Sequence, residues 1–253
     1  MPNTSISGRF LGGLQVATIK RFILHVEETI ANIITCQEAY PFIREEVFWQ
    51  RNLLENYIRG HPGFLDSFEP LEVPNNAPTV VKEMARAGAL ANVGPMAAVA
   101  GALAHQVVQT VWDMGYDYVV LDNGGDVAFV TDKPLTIGVL PSTSRFKHLA
   151  FQLEPVGFVR GVCSSSGLVS HSFSYGVANS VTVLAKNTAV ADAVATATCN
   201  KVKDQTEARS VANESLSPAV DGIVVLCKHQ LVLAGRVPKL VQARVSPALV
   251  AVA

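Results

Sequence analysis

Apolar residues in the N-terminal half of the chain change from an alternating spacing to a helical one. Residues 14–35 predict two short strands, because apolar side chains such as Phe22 and Leu24 alternate there with polar or exposed positions. The apolar residues that follow fall near helical spacing, and Gly60 predicts the end of that helix. Residues 61–80 are rich in proline and predict a loop.

A second helical region is predicted over residues 80–114, with a break at Gly94-Pro95. Proline suits the first turn of a new helix, where its missing N–H would have no partner anyway. Residues 87–112 carry no formal charge and are long enough to cross a bilayer. The break and the polar residues within this run favour a helix buried in a core, so we expect no membrane span.

The second half of the chain alternates β-rich segments with turns. The predicted strands are Tyr118–Leu121, Val127–Val130, Leu135–Leu140, Phe158–Cys163 and Ser180–Ala185, followed by a hairpin of Ile223–Cys227 and Leu231–Ala234. A helix is predicted at TAVADAVATATCN, residues 188–200. This order favours an α+β fold with mainly antiparallel sheet, within one domain of two packed lobes at roughly residues 1–115 and 116–240 and a short tail at 241–253. Exposed strand edges make a homodimer reasonable.

Composition excludes some classes of protein. Of the 253 residues, 49% are hydrophobic and 16% are charged, with a formal net charge of -1. The balance of charge argues against binding to nucleic acid or to a membrane surface. The four cysteines form no C-x-x-C pair, which indicates free thiols in a reducing compartment. With no clean signal peptide at the N-terminus, we expect a cytoplasmic protein.

The stretch VGPMAAVAGALA, residues 93–104, opens a predicted helix with Gly-Pro and lines it with small residues. A helix N-terminus presents free N–H groups to an anion, so Gly94 and Met96 are candidate contacts to a phosphate. Tight helix packing is the alternative explanation of the small residues.

The stretch LDNGGDVAF places a glycine pair between two strand-like runs. Asn-Gly is a strong signal for a hairpin, but a turn does not require the flanking carboxylates. Contact with a ligand is the functional interpretation. Its candidate residues are Asn123, Gly124, Gly125 and Asp126.

The stretch GVCSSSGLVSHSFSYG is rich in hydroxyl groups, which could form a nest of donors for phosphate oxygens. The candidate contacts are Ser164, Ser165, Ser166 and Gly167. His171 follows as a candidate acid or base, and activation of Cys163 as a nucleophile is a weaker alternative. A solvated serine-rich loop would explain the same residues without a ligand.

Asp192 and Thr196 are four residues apart in the helix predicted at residues 188–200, so they share one face. A carboxylate and a hydroxyl are hard oxygen ligands suited to Mg²⁺, which fills its octahedron with water and substrate phosphates. Alternatively, Asp192 complements the dipole of its own helix after a cap at Thr188. The spacing alone leaves the two interpretations open.

Taken in order, these stretches resemble an uncharacterised protein family related to the ApbE flavin transferases, which move FMN from FAD onto a threonine of a target protein. The strings HVEETIANI, ENYIRGHPGF, VGPMAAVAGALA, DNGGD, GVCSSSG with SHSFSYG, and ADAVATATCN carry the resemblance. It implies an α+β fold of two similar lobes that resemble the T-fold, with a ligand between them.

The more distant resemblance to the flavin transferases themselves covers roughly residues 90–200. Their Ala-Asp-Ala-x-Ala-Thr helix is similar to residues 191–196. In those enzymes this Asp and Thr bind Mg²⁺ beside the FAD pyrophosphate, which implies that role for Asp192 and Thr196. Two departures stand out. No lysine opens the helix at GPMAAVAG, and His171 is followed by Ser-Phe-Ser-Tyr rather than Ile-Ile-Asp-Pro.

The resemblance implies a Mg²⁺-dependent protein that binds, and cleaves or transfers, a flavin such as FAD or FMN or another nucleotide pyrophosphate. Asp192 would act in catalysis as well as in metal binding, with His171 as the acid or base. The alternative is a catalytically silent nucleotide- or flavin-binding regulatory protein. A third and weaker alternative is a serine- or cysteine-dependent acyl transferase centred on Cys163 and His171.

Overall fold

The computed structural model describes residues 18–139, 146, 148–166, 178–227 and 230–243. The helices are α1 (Tyr40–Gly60), α2 (Gly63–Asp66), α3 (Thr79–Ala91), α4 (Val99–Asp113), α5 (Thr188–Lys201) and α6 (Ala208–Glu214), and a short 3₁₀ helix at Pro95–Ala98 precedes α4. The strands are β1 (Ile19–Val26), β2 (Thr29–Cys36), β3 (Val119–Asn123), β4 (Asp126–Thr131), β5 (Leu135–Gly138), β6 (Leu149–Leu153), β7 (Val156–Ser165), β8 (Ser180–Ala185), β9 (Val220–Cys227), β10 (Gln230–Gly235) and β11 (Lys239–Gln242).

Eight strands form one continuous sheet in the order β1-β2-β3-β4-β7-β8-β9-β10, and every neighbouring pair is antiparallel. The helices lie on one face of this sheet, where α4 packs on β3, β4 and β7 and α5 packs on β7 and β8. A three-stranded sheet, β11-β6-β5, lies against the other face. Residues from both sheets, including Phe129, Phe151 and Leu184, form the core between them.

The central strands are buried on both faces, and their sequences show it. All six residues of β8, SVTVLA, are buried, and β9 is buried along almost its whole length. A strand covered by helices on one side and by a second sheet on the other loses the alternation of apolar and polar residues. β1, at the edge of the sheet, keeps a partly exposed pattern.

The predicted α+β class with mainly antiparallel sheet is confirmed. Four short elements were not predicted, namely α2, α6, β6 and β11, and α2 lies within the residues predicted as a loop. A single turn such as α2 has little periodicity, and β11 is defined by its pairing with β6 rather than by its own sequence. β11 also extends two residues into the predicted tail. Strands from both halves of the chain join the same sheet. The division into two lobes stays a prediction.

Among the described residues, no single helix is long and apolar enough to cross a membrane. By length and composition alone, the helix at Thr79–Ala91 and the helical segment at Pro95–Asp113 pass that test as a pair, but they are bent by 104° at the break between them. The break lies at Gly94-Pro95, where the sequence predicted it.

Strand β7 contains one glycine that packing requires and one that it does not. A Cβ atom on Gly161 would lie 2.6 Å from Cα of Thr188, in the first turn of α5. A Cβ atom on Gly157, in the same strand, would meet nothing within 4 Å.

We therefore expect Gly161→Ala to lower the free energy of unfolding by about 1–3 kcal/mol, because α5 must move off the sheet to accept the methyl group. Gly157→Ala should change it by less than about 1 kcal/mol. Urea unfolding of both variants tests this expectation. Equal midpoints for the two variants would show that α5 does not depend on the close approach at Gly161.

Candidate functional site

The helices α4 and α5 cross in close contact at their N-terminal turns. A Cβ atom on Gly101, the third residue of α4, would lie 2.4 Å from the backbone oxygen of Thr188 and 2.7 Å from Cβ of Asp192. Any side chain larger than hydrogen at this position would push the two helices apart. The contact therefore requires glycine at position 101, and it places Asp192 beside the start of α4.

The carboxylate of Asp192 caps α4 from the neighbouring helix. The backbone N–H of Gly101 donates to Oδ2 of Asp192 at 2.8 Å. No side chain at the N-terminus of α4 itself caps the helix. Free N–H groups and the positive end of the helix dipole both favour a negative charge at this point. Asp192 thus complements the dipole of α4, rather than that of its own helix as the alternative interpretation supposed.

His105 makes the reverse contact, from α4 to the start of α5. The backbone N–H of Thr188 points to Nδ1 of His105 at 3.4 Å, and the Thr188 hydroxyl lies 3.1 Å from the same nitrogen. Accepting the backbone N–H requires Nδ1 to be unprotonated, which makes the ring neutral with its proton on Nε2. Burial lowers the pKa of His105, although the charge of Glu83 opposes the shift.

The cap of α5 is Asn187 rather than Thr188. The side-chain oxygen of Asn187 accepts from the backbone N–H of Val190 at 3.2 Å, and its amide donates to Oε2 of Glu83 at 2.8 Å. Thr188 is the first helical residue and is fully buried under α4. Its hydroxyl therefore serves the contact with His105.

Asp126 and Cys163 lie opposite each other on β4 and β7, on the face of the sheet that the helices cover. The Cys163 thiol donates to the backbone oxygen of Thr188 at 3.4 Å, which places it under the first turn of α5. Oδ1 of Asp126 is buried and has no hydrogen-bond partner among the described residues. A buried carboxylate oxygen without a partner is costly, so this position favours a bound proton or cation.

Electrostatics link the two carboxylates. Burial raises the pKa of Asp126 well above its ordinary value, and the neighbouring charge of Asp192 raises it further. Burial also raises the pKa of Asp192, to about 7, while the backbone N–H groups of Gly101 and Ala100 oppose the rise. Two buried carboxylates that repel each other can be relieved by a shared proton or by a cation between them.

The pKa of Cys163 is also raised well above its ordinary value, first by burial and then by the charges of Asp126 and Asp192. Its side chain has no exposed surface. A nucleophilic cysteine needs an accessible thiolate, and this environment favours the neutral thiol. The structure therefore argues against Cys163 as the nucleophile of an acyl transferase.

Thr196 lies one turn after Asp192 in α5 and is half-buried. Within the described ranges, no group of three or more His, Cys, Asp or Glu side chains is arranged to hold a metal ion. The donors that do lie near one another are the carboxylates of Asp126 and Asp192. Such a small set of hard oxygen donors fits Mg²⁺, which usually keeps several of its waters, better than Zn²⁺.

The glycine pair predicted between two strands forms a hairpin turn. Asn123 pairs with Asp126, and the two residues between them, Gly124 and Gly125, have φ angles of +71° and +100°. A two-residue turn with both φ angles positive suits glycine, so the hairpin explains the pair. By strand alternation, Asn123 lies on the same face of the sheet as Asp126.

The alternative of a serine-rich loop does not hold for Ser164 and Ser165, which are the last residues of β7. The Ser164 hydroxyl lies 2.8 Å from that of its cross-strand neighbour Thr182, on the face of the sheet opposite Asp126. Ser165 lies on the helix-covered face. Ser166 follows the strand, and its hydroxyl donates to the backbone oxygen of Asn179 at 2.8 Å. Strand pairing thus places Ser164 and Ser165 on opposite faces of the sheet. Contact of the serines with a phosphate stays a prediction, and Gly167 and His171 lie outside the described residues.

Gly94 precedes the 3₁₀ helix, and close packing accounts for it. A Cβ atom at this position would lie 1.8 Å from the backbone oxygen of Ser67. Met96 is half-buried and packs against the core beneath α3 and α5. The packing alternative explains the glycine, and contact of either residue with a phosphate stays a prediction.

Sequence reasoning missed Gly101, His105 and the role of Thr188. A signal was present, since Gly101 and His105 are four apart on α4, as are Thr188 and Asp192 on α5. One sequence does not reveal that the two pairs meet, because 83 residues separate His105 from Thr188.

Related proteins are similar to the chain over most of its length. Residues 16–252 match the sequence model of a family described as "AbpE bacteria". A UPF0280 protein from Methanothrix thermoacetophila is 38% identical over 88% of this chain and 94% of its own. A UPF0280 protein from Methanosphaerula palustris is 41% identical over 88% of this chain and 94% of its own.

Solved structures are similar in fold at low sequence identity. The apo form of the flavinyl transferase ApbE from Pseudomonas stutzeri matches with a TM-score of 0.58 at 12% identity, over 87% of this chain and 95% of that one. The ApbE protein of Thermotoga maritima matches with a TM-score of 0.53 at 13% identity, over 90% and 97%.

The mixed α/β architecture, its antiparallel sheets and these matches define a protein with the ApbE fold. Within that class, the chain belongs to the family described as "AbpE bacteria", among the UPF0280 proteins.

Replacing Asp192 with asparagine should flatten the pH dependence of stability. The pKa of Asp192 is raised from 3.8 to about 7 in the folded protein, so this group favours the folded state fully below pH 3.8. That contribution is lost as the pH rises through 7. Asp192→Asn keeps an oxygen for the Gly101 N–H and removes this titration. In a buffer that contains a metal chelator, the urea concentration at the midpoint of unfolding should fall less steeply between pH 4 and 8 for the variant than for the wild type.

The matched control is Asp66→Asn, at an exposed position in α2. It should keep the wild-type slope, because it removes a carboxylate from outside the contact between α4 and α5. A wild-type slope in Asp192→Asn as well would show that the buried carboxylate does not titrate as proposed.

His105→Leu should lower the free energy of unfolding by about 1–3 kcal/mol at pH 7.5, because the buried Thr188 N–H and hydroxyl lose their acceptor. His105 has a lowered pKa, so its contribution is present above the ordinary value of 6.5 and is lost as the pH falls through the folded-state value. The difference between wild type and variant should therefore narrow at acid pH. His105→Gln, which offers an amide oxygen, should lose less. Differences independent of pH would contradict the acceptor role.

Proposed function

We propose that this protein binds a flavin or another nucleotide with a pyrophosphate, together with Mg²⁺, and that it cleaves the ligand or transfers part of it. The single observation that carries the proposal is the pair of buried carboxylates at Asp126 and Asp192, one of which has an oxygen without a partner among the described residues. A pair of like charges in a buried position is stabilised by a cation.

Asp192 would hold the metal, with Thr196 one turn later as the second ligand from α5. Asp126 would approach the same ion from β4 across the helix–sheet interface. The hydrogen bond from the Gly101 N–H to Oδ2 fixes the Asp192 side chain. Asp192 would therefore lose less conformational entropy when it binds the metal. The contact between Thr188 and His105 fixes the position of α5 itself.

The bound Mg²⁺ would supply charge neutralisation at the phosphate oxygens and orient the bond to be cut. The chain's own residues would position the ligand around it. The hairpin turn at Gly124-Gly125 leaves backbone uncovered by side chains on the same side as Asn123 and Asp126, and it is the proposed contact for the rest of the ligand. Ser165, Ser166 and Gly167 are proposed to contact phosphate oxygens, and His171 is proposed as the acid or base.

Support for a flavin as the ligand comes from the fold, because proteins named as flavinyl or flavin transferases share it. The sequence identity to them is 12–15%, which is why the choice among flavins and other nucleotides stays part of the proposal. The missing lysine at the start of GPMAAVAG and the residues after His171 favour the second candidate function, a flavin- or nucleotide-binding protein without turnover.

Calorimetric titration of FAD in the presence and absence of MgCl₂ tests the metal and the ligand together. We expect binding to require Mg²⁺ and to weaken about tenfold or more in Asp192→Asn and in Thr196→Val, because the first replaces a charged carboxylate with a neutral amide and the second removes the hydroxyl ligand. Mass spectrometry of the same mixtures distinguishes turnover from binding alone, because hydrolysis of FAD by water releases FMN and AMP.

Thr198→Val is the matched control for Thr196→Val. Thr198 lies on the same helix, is fully buried, and its hydroxyl has no partner among the described residues. Its replacement should leave binding unchanged. Binding that does not depend on Mg²⁺, or that persists in both site variants, would contradict the site. Binding of FAD without FMN release would favour the silent protein.

A further inference from the structure

A cavity of about 420 Å³ lies away from the carboxylate pair. It opens where β7 and β9 begin and where the chain leaves β10. Arg160 lines it from β7, on the same face of the sheet as Val162, which packs against the small sheet. Asp126 and Cys163 lie on the opposite, helix-covered face, so the two sites are separate.

The charged groups around this cavity are unbalanced. Its lining contains three cationic side chains, Arg160, Lys186 and Arg236, and one carboxylate, Asp221. Oδ2 of Asp221 accepts from Nη2 of Arg160 at 2.7 Å, and Oδ1 accepts from Nη2 of Arg236 at 2.9 Å. Asp221 thus engages both arginines at once and leaves a local charge of about +2, which suits an anion.

The backbone around Asp221 holds this arrangement in place. The Arg236 N–H donates to the backbone oxygen of Asp221 at 2.6 Å. A Cβ atom on Gly222 would lie 2.5 Å from the oxygen of Arg236, and Gly235 has a φ of +69°. Glycine at both positions lets the segment after β10 lie directly against the start of β9. The backbone of Arg236 is therefore held in place, although 86% of its side chain is exposed.

One wall of the cavity is apolar. Phe158 lies two residues before Arg160 on the same face of β7, and 41% of it is exposed. Val237 and Pro238 line the cavity beside it. An exposed aromatic ring next to guanidinium groups favours a ligand with an apolar or aromatic part attached to its anionic group.

We infer that this cavity binds a small molecule that carries a phosphate monoester next to an apolar or aromatic part. A phosphate monoester has a charge of about −1.5 to −2 at neutral pH, which matches the excess of positive charge, whereas a carboxylate neutralises only part of it. Arginine also binds phosphate through paired N–H donors. This site is independent of the proposed metal site.

Titration of the full chain with phenyl phosphate, inorganic phosphate and benzoate, followed by NMR or calorimetry, tests the inference. Phenyl phosphate should bind more tightly than either of the other two probes. The double variant Lys186→Ala/Arg236→Ala should weaken its binding about tenfold or more, the loss expected when two charge-assisted contacts disappear. Both side chains are exposed, so folding should be preserved, and urea unfolding checks this.

The matched control is Lys133→Ala/Arg209→Ala, which removes the same charge from exposed positions outside the cavity. It should bind phenyl phosphate as the wild type does, and so should Asp192→Asn. Absence of binding to the wild type would overturn the inference, as would equal weakening in both double variants. Loss of binding in Asp192→Asn would place the probe at the carboxylate pair instead. Equal affinity for phenyl phosphate and inorganic phosphate would contradict the inference that the cavity recognises an apolar or aromatic part of the ligand.

Discussion

The close approach of α4 to α5 is the constraint on which the candidate site depends. At Gly101, and again at Gly161, the absence of a side chain lets the first turn of α5 lie against both the neighbouring helix and the sheet. That position brings Asp192 to the N-terminus of α4 and the Thr188 backbone over Cys163. The chemistry of the buried cluster is therefore a consequence of packing, and small residues at the contacts are as necessary as the carboxylates themselves.

The same packing places opposing influences on the charged and neutral forms of the two carboxyl groups. The hydrogen bond and the dipole of α4 favour the charged form of Asp192. Burial favours the neutral form of both carboxyl groups, and the charge of Asp192 further disfavours ionisation of Asp126. Within the described ranges, neither carboxylate forms an ion pair with a Lys, Arg or His side chain. At the proposed metal site, an arrangement suited to an ion would be unfavourable while no ion is bound, a common situation where function demands an unfavourable arrangement.

Much of the fold could be predicted from the sequence, because strand alternation, helical spacing and the Gly94-Pro95 break are local signals. The hairpin at Gly124-Gly125 was also readable, since a positive φ at two successive residues suits glycine. The site was predictable only in part. Asp192 stood out as an acidic residue among small ones, but its partner Gly101 did not, because that contact joins residues 91 positions apart. The position of the serines was not predictable, since a hydroxyl-rich run is compatible with both a turn and a strand end, and only pairing places Ser164 and Ser165 in β7.

The capping arrangement also differs between the two helices in a way that bears on how the chain folds. α5 has a local cap in Asn187, so its first turn can form from neighbouring residues alone. α4 has no capping side chain of its own, and Asp192 in α5 caps it instead. Contacts between residues far apart in sequence form slowly because a long loop must close first. During synthesis, the start of α4 emerges well before its cap exists, so its first turn should be among the last parts of the helical layer to become ordered.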